Sequence, residues 1–113
     1  TLMDIGKGIL QSLGYTVVTC NSSIEALKKF ELQPDKFDLV ITDQTMPHMT
    51  GYELAQKVIA IRNTISVIVC TGYSETLTPE QAEATGIKAF VYKPISKKEI
   101  ARRIREVLDK REV

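Results

Sequence analysis

The feature of this sequence that most constrains its fold is a regular alternation of short apolar segments with longer amphipathic ones. Four short segments predict strands, of which the last three are near-continuous apolar runs: 16–20, 39–43, 67–71 and 89–92. Such runs are typical of strands that are buried on both faces of a sheet. Longer segments predict helices from their apolar spacing or their capping patterns: 2–13, 23–32, 52–62, 78–86 and 97–111. Strict alternation predicts parallel strands with right-handed crossovers, in a doubly wound α/β domain of flavodoxin-like or Rossmann-like type.

Bulk composition limits the classes of protein to which the chain can belong. Its 113 residues are 43% hydrophobic, which predicts one domain with a core that needs no metal or disulfide. The net charge of +1 argues against a protein that mainly coats nucleic acid or anionic membrane, and no apolar run approaches the ~18 residues of a membrane span. Cys20 and Cys70 lie in apolar runs, and no signal-like segment opens the chain. We therefore expect a cytoplasmic protein with reduced thiols.

Polar residues follow three of the predicted strands at the point where each strand ends. Asp43 closes one strand, Thr71 and Gly72 close the next, and Lys93 with Pro94 follows the last. Taken alone, the aspartate could form a turn, the threonine could simply favour a strand, and the lysine could be a surface residue. In an open parallel sheet, however, ligands bind beyond the carboxyl ends of the strands. We therefore expect a carboxylate, a hydroxyl and an ammonium to converge on one edge.

This combination of groups suits the transfer of a phosphoryl group to an aspartate. The carboxylate of Asp43 can act as the nucleophile and form an aspartyl-phosphate. The hydroxyl of Thr71 and the ammonium of Lys93 can then meet the negative charge that spreads over the phosphoryl oxygens. Gly72 would leave room beside the group, and a Mg²⁺ ion with oxygen ligands would normally be needed as well.

Three stretches together resemble the receiver domains of two-component response regulators. They are DLVITDQTMPHMTGYEL at 38–54, ISVIVCTGYSE at 65–75 and AFVYKP at 89–94. The resemblance covers essentially the whole chain and implies the flavodoxin-like fold, with strand order 2-1-3-4-5. It implies that Asp43 is the phospho-acceptor, that Thr71 is the switch hydroxyl, and that Lys93 is the lysine that pairs with the phosphoryl group.

The same resemblance assigns further residues around the predicted site. Phe90, three residues before Lys93, falls at the switch aromatic of the family, a position that Tyr92 does not occupy. Thr45 falls where the family offers a backbone carbonyl to Mg²⁺. Four residues are implied to shape the loops and turns: Pro47, Gly51, Gly72 and Pro94.

The sequence departs from the family at its amino end. Receivers carry an acidic pair at the end of their first strand, just before the first helix, and this pair completes the Mg²⁺ site. The chain begins at Thr1, inside the expected first helix, and Asp4 lies on the wrong side of the missing strand to replace the pair. We therefore expect residues 1–113 to form a single receiver domain that is truncated at its amino end, with the central first strand absent and Mg²⁺ binding impaired.

The implied partner is a histidine kinase or a phosphotransfer domain, which supplies the phosphoryl group. The segment TDQTMPHMTG at 42–51, together with VIVCTGYSE at 67–75, is most similar to the receivers of hybrid sensor histidine kinases. The surface expected to change on phosphorylation comprises 78–86, 89–92 and 97–111, and it could also form a homodimer. We expect no direct contact with nucleic acid or membrane. A receiver promotes its own phosphorylation and dephosphorylation but is not a conventional enzyme.

Other interpretations of the sequence remain open. A pseudo-receiver would keep the fold and act as an interaction module without phosphorylation, and the missing acidic pair favours it. An aspartate-nucleophile phosphatase needs a second aspartate where this chain has Thr45. A nucleotide site is disfavoured because GKG at 6–8 lacks the spacing of a P-loop. His48, the only histidine, is interpreted as a solvated loop residue.

Overall fold

The computed structural model describes residues 11–12, 14, 18, 20, 22–45, 48–72, 80, 84–92 and 96–110. Its elements are, in chain order, α1 (Ser23–Leu32), β1 (Leu39–Asp43), α2 (Gly51–Ile61), β2 (Ser66–Thr71), β3 (Ala89–Tyr92) and α3 (Lys97–Lys110). Each lies within one residue of the bounds that the sequence predicts. The predicted helices at 2–13 and 78–86 and the strand at 16–20 lie wholly or mostly outside the described residues.

The three described strands form a parallel sheet in the order β1-β2-β3. Leu39 lies opposite Ser66 at one end of the first pair, and Asp43 lies opposite Cys70 at the other. Thr71 of β2 lies opposite Tyr92 of β3. The carboxyl ends of all three strands therefore meet at one edge of the sheet, which confirms the parallel arrangement predicted from the alternation.

One face of the sheet is covered by α1 and α2. Val67 and Val69 of β2 are fully buried there against Phe30 of α1 and against Leu54 and Val58 of α2. Successive side chains of a strand point to opposite faces, which is why alternate residues of β2 belong to this layer. Burying each such side chain contributes about 1.5–3 kcal/mol.

The other face is covered by α3. Ile68 and Cys70 of β2 pack there against Ile100, Ile104 and Val107 of the helix. These helix residues are spaced by three and four positions, so they form one buried stripe. A sheet with helices on both faces explains why β2 is buried along its whole length. The doubly wound α/β prediction is confirmed.

Side-chain caps fix the starts of all three described helices. The Ser22 hydroxyl accepts from the Glu25 N–H at 3.1 Å, and the Ser96 hydroxyl accepts from the Glu99 N–H at 3.1 Å. Thr50 and Glu53 form a reciprocal capping box before α2. These bonds satisfy backbone donors that a helix leaves unpaired at its amino end.

Both cysteines are free thiols, one buried and one partly buried. Burial raises the pKa of the Cys20 thiol above its ordinary value of 9.0, which favours the neutral, unreactive form. Within the described part of the chain, no helix combines the length and the apolar character that a membrane crossing requires.

Candidate functional site

Asp43 is the last residue of β1 and lies at the carboxyl edge of the sheet. Its partner across the ladder is Cys70, and the next backbone N–H, from Gln44, donates to the Cys70 carbonyl at 2.9 Å. The Asp43 side chain is half-buried. The neighbouring Thr42 hydroxyl donates to the Asp43 carbonyl at 3.1 Å. Hydrogen bonds from the residues before and after Asp43 thus hold its main chain, while its carboxylate lies at the carboxyl edge of the sheet.

Thr71 ends the neighbouring strand, one residue beyond the partner of Asp43. It is 4% exposed, and its hydroxyl donates to the carbonyl of Gly72 at 3.3 Å. The structure therefore places Asp43 and Thr71 at adjacent strand ends, as the alternation predicts. Lys93 and Pro94 lie outside the described residues, directly after Tyr92 at the end of β3.

Strand periodicity places Thr71 on the same sheet face as Phe90. Val69 lies opposite Phe90 in the ladder, and Thr71 is two residues further along β2. Phe90 packs against the buried layer under α1 and α2. Tyr92 is 47% exposed. Of the two aromatic residues on β3, Phe90 is therefore the one that packs against the core on the face that it shares with Thr71.

Gly51, the first residue of α2, lies directly against the main chain of Asp43. Its N–H donates to the Gln44 carbonyl at 3.1 Å. A Cβ atom at this position would lie 2.5 Å from the Asp43 carbonyl oxygen, which is closer than real Cβ contacts come. The sequence analysis named Gly51 for its place in a turn. The structure shows a different reason for glycine at this position, which is that any side chain would collide with the main chain of Asp43.

The loop between β1 and α2 contains two more residues that the sequence analysis named. The Thr45 N–H donates to Asp43 Oδ1 at 3.4 Å, and the residue is exposed. His48 is exposed and has a φ of 70°, in the left-handed region that non-glycine residues seldom adopt. Pro47 lies outside the described residues.

Two residues that the sequence analysis did not name also hold this loop. Gln44 Oε1 accepts from the Tyr52 N–H at 2.8 Å, which ties the residue after Asp43 to the start of α2. The hydroxyl of Ser23, a fully buried residue of α1, donates to the Met49 carbonyl at 2.7 Å. Neither residue belongs to a sequence pattern that could have marked it.

The oxygen atoms at this edge are of the kind that Mg²⁺ prefers. Asp43 offers a carboxylate, and Thr45 offers a backbone carbonyl two residues further on. Among the described residues, no group of three or more histidine, cysteine, aspartate or glutamate side chains could hold a metal ion. The described donor set therefore fits Mg²⁺ in kind and supplies part of its usual octahedral shell.

Comparison with known proteins identifies the fold and the family. Residues 1–105 match the response regulator receiver domain family. The chain is 34% identical over 107 residues to the sensor kinase CckA of Brucella abortus, covering 95% of this chain and 11% of that protein. It therefore spans about a tenth of the length of this relative.

Two solved receiver structures superpose closely on the chain. A response regulator receiver domain protein from Clostridium thermocellum has a TM-score of 0.92 at 25% identity, covering 98% of this chain and 88% of its own. A CheY-like receiver domain protein from Methanospirillum hungatei has a TM-score of 0.88 at 31% identity, with 98% and 87% covered. The fold is thus flavodoxin-like rather than Rossmann-like, and the chain belongs to the response regulator receiver domain family of two-component signalling.

Proposed function

We propose that this domain accepts a phosphoryl group on Asp43 from a histidine kinase or a phosphotransfer domain. The observation that carries the proposal is the position of Asp43. It is half-buried at the carboxyl edge of a parallel sheet, beside the end of the strand that carries Thr71. Membership of the receiver family gives that position its expected chemistry. A carboxylate at this edge is open to a donor and can act as a nucleophile.

The proposed step exchanges one bond to phosphorus for another. A carboxylate oxygen of Asp43 forms a P–O bond while the P–N bond of a phosphohistidine breaks. The departing imidazole nitrogen takes a proton from solvent, so the donor histidine is left neutral and Asp43 becomes an acyl phosphate. The main-chain bonds around Asp43 support this step because they fix the nucleophile before the donor arrives.

The neighbouring strand ends would stabilise the product. The aspartyl-phosphate carries about two negative charges beside Thr71 where the carboxylate carried one, and the Thr71 hydroxyl can rotate from the Gly72 carbonyl to donate to a phosphoryl oxygen. Lys93, which follows β3 in the sequence, is proposed to pair with another oxygen. The Asp43 carboxylate and the Thr45 carbonyl would hold Mg²⁺, which neutralises charge on the phosphoryl oxygens when it is bound.

The output would pass through the sheet face that Thr71 shares with Phe90. Movement of the Thr71 hydroxyl toward the phosphoryl group frees space on that face, and Phe90 can turn into it. Phe90 belongs to β3, which packs against α3 on the opposite face. We propose that the surface of residues 78–86, β3 and α3 thereby changes shape for a partner, including a second copy of the domain.

The domain is proposed to act within a larger cytoplasmic signalling protein. Its coverage of CckA, 11% of that sensor kinase, supports a receiver that belongs to a hybrid histidine kinase. Residues 1–113 would form one receiver unit in such a protein. Its only catalytic activity would be toward its own phosphorylation state.

The test compares Asp43, at the carboxyl end of β1, with Asp38, which directly precedes β1, in the natural protein that carries this chain. Asp43→Asn should abolish incorporation of phosphate from a phosphorylated histidine kinase or from acetyl phosphate, measured by the mass shift of the protein. Asp38→Asn, at the exposed position before the strand, should leave incorporation unchanged. Circular dichroism should show that both variants remain folded.

Two outcomes would contradict the proposal. If Asp43→Asn incorporates phosphate as the unaltered protein does, another residue is the acceptor. If the unaltered protein takes up none from either donor, the domain is a pseudo-receiver that acts through its surface alone. In that case Asp43→Asn should also leave partner binding unchanged.

A further inference from the structure

Gln44 makes three hydrogen bonds, one to β2 and two to the start of α2. Its N–H donates to the Cys70 carbonyl at 2.9 Å, and its carbonyl accepts from the Gly51 N–H at 3.1 Å. Its side-chain oxygen accepts from the Tyr52 N–H at 2.8 Å, the shortest of the three. The residue next to Asp43 is thereby fixed both to the neighbouring strand and to the following helix.

The side-chain bond of Gln44 takes a donor that the helix itself cannot satisfy. The first N–H groups of an α-helix have no partner within the helix. Thr50 accepts from the Glu53 N–H at 3.2 Å, so the threonine cap leaves the Tyr52 N–H to Gln44. The helix therefore has two caps, one of which comes from the residue that follows Asp43.

This arrangement restricts where the loop can move. Gln44 and Tyr52 are both half-buried, so a shift that separates them would leave a poorly solvated N–H without a partner. Such a loss is unfavourable and opposes the shift. Gly51 meanwhile lies against the Asp43 carbonyl, so the start of α2 cannot move closer to Asp43.

We propose that Gln44 is a positioning residue for phosphorylation, which holds Asp43 and Thr45 in their reactive arrangement through the start of α2. The proposal rests on the proposed function of Asp43. Asp43 and Thr45 flank Gln44 directly, and the Thr45 N–H donates to the Asp43 carboxylate at 3.4 Å. Fixing the Gln44 main chain therefore fixes the direction of the nucleophile and of the Thr45 carbonyl.

The experiment removes the acceptor oxygen of Gln44 without greatly changing the side chain. Gln44→Met keeps the length but loses the acceptor, and Gln44→Glu keeps an acceptor at the same reach. In the natural full-length protein, Gln44→Met should slow phosphorylation by acetyl phosphate about 10-fold or more. Hydrogen exchange in the peptide that contains Tyr52 should become about 10-fold faster. Gln44→Glu should restore the slow hydrogen exchange, because its carboxylate keeps an acceptor for the Tyr52 N–H.

Tyr52→Phe is the matched control for general loosening of the helix. It removes the hydroxyl that accepts from Thr85 at 2.9 Å but keeps the backbone N–H that Gln44 holds. Its phosphorylation rate should equal that of the unaltered protein. If Gln44→Met does not fold, Gln44→Asn takes its place. Its side chain is one methylene shorter, so its amide oxygen no longer reaches the Tyr52 N–H.

The outcomes separate this proposal from the proposed function. If the unaltered protein is phosphorylated and Gln44→Met reacts at the same rate, the positioning role is wrong while the function stands. Equal slowing in Tyr52→Phe, or no recovery of slow hydrogen exchange in Gln44→Glu, also overturns it. If the unaltered protein is not phosphorylated, the proposed function falls and the positioning role falls with it.

Discussion

Two serine side chains in the described core are almost fully enclosed, and they differ in hydrogen bonding. The Ser23 hydroxyl donates to the Met49 carbonyl at 2.7 Å, joining α1 to the loop after Asp43. The Ser66 hydroxyl, at the start of β2, has no hydrogen-bond partner within the described part of the chain. A buried polar group without a partner destabilises a fold, whereas a satisfied one stabilises it modestly.

Replacing each serine by alanine should therefore change stability in opposite directions. Ser23→Ala leaves the Met49 carbonyl without its donor and should lower the free energy of unfolding by about 1–2 kcal/mol. Ser66→Ala removes an unsatisfied hydroxyl and should raise that free energy by up to about 1 kcal/mol. Urea denaturation of both variants measures the difference. Equal destabilisation by the two changes would mean that the Ser66 hydroxyl has a partner.

The contact between Gly51 and Asp43 predicts an unusually large effect for a very small substitution. Gly51→Ala places a methyl group where the Asp43 carbonyl oxygen lies, so either the loop or the start of α2 must shift. The free energy of unfolding should fall by about 1–3 kcal/mol, although alanine normally favours a helix. Gln56→Ala, on the exposed side of the same helix, is the control and should change stability by less than about 0.5 kcal/mol. A neutral Gly51→Ala variant would show that the close approach is absent.

Single residues of the candidate site differed in how far the sequence could reveal them. Asp43 and Thr71 could be proposed because each closes an apolar run, which is visible along the chain. Gln44 and Ser23 could not, since their partners lie 8 and 26 residues away and only the folded chain brings them together. The need for glycine at position 51 was hidden for the same reason, because it comes from close packing against the end of β1 rather than from a backbone turn.

At the scale of elements, the exposed side of α3 carries a ladder of ion pairs. Glu99 binds Arg102 at 2.8 Å and Arg103 at 3.1 Å, and Glu106 lies 3.3 Å from Arg102. The hydrogen bond from Arg102, followed by that from Arg103, holds the pKa of the Glu99 carboxyl below its ordinary value of 4.5. The charged form of Glu99 is therefore favoured in the folded helix.

The depressed pKa of Glu99 predicts the pH range in which this ladder stabilises the protein. A carboxyl whose pKa is lower in the folded state stabilises above its unfolded pKa, and loses that effect as the pH falls through the folded pKa. Glu99→Gln should therefore lower the melting temperature at pH 7. The difference from the unaltered protein should disappear when the pH is brought well below 4.5. Because the helix face is exposed, 1 M salt should also reduce it, and a difference that persists at low pH would contradict the assignment.

Element bounds were the most predictable part of the fold. Apolar runs, apolar spacing and, for α1, a capping pattern located the six described elements to within a residue, since burial and capping leave a direct trace in the sequence. The capping box of Thr50 with Glu53 was missed, although both residues fit the known pattern. The ion pairs of α3 were not foreseen either, because many arrangements of exposed charges suit a solvated helix face.

For the whole molecule, the two edges of the sheet have different structural roles. The carboxyl edge carries Asp43 and Thr71, while the amino edge is held by Arg62 at the end of α2. Arg62 Nη1 donates to the carbonyls of Pro34 and Phe37, both at 2.7 Å, and its Nε donates to the Thr64 hydroxyl at 3.2 Å. One side chain thus fixes the connection between α1 and β1 against the end of α2. The alternation of elements predicted the topology but gave no indication of this tie, which joins residues 25 and 28 positions apart.

Arg62 should therefore stabilise the fold without affecting the chemistry at the opposite edge. Arg62→Met should lower the free energy of unfolding by about 2–3 kcal/mol, because hydrogen bonds to a charged donor are lost and two carbonyls lose their partner. Arg62→Lys should recover only part of this, since a single ammonium cannot reproduce the planar fork of the guanidinium. Lys57→Met, on the exposed side of the same helix, should change stability by less than about 0.5 kcal/mol in urea denaturation. Under conditions where every variant is folded, all should be phosphorylated by acetyl phosphate at the unaltered rate. A slower reaction in Arg62→Met would instead mean that the amino edge is coupled to Asp43.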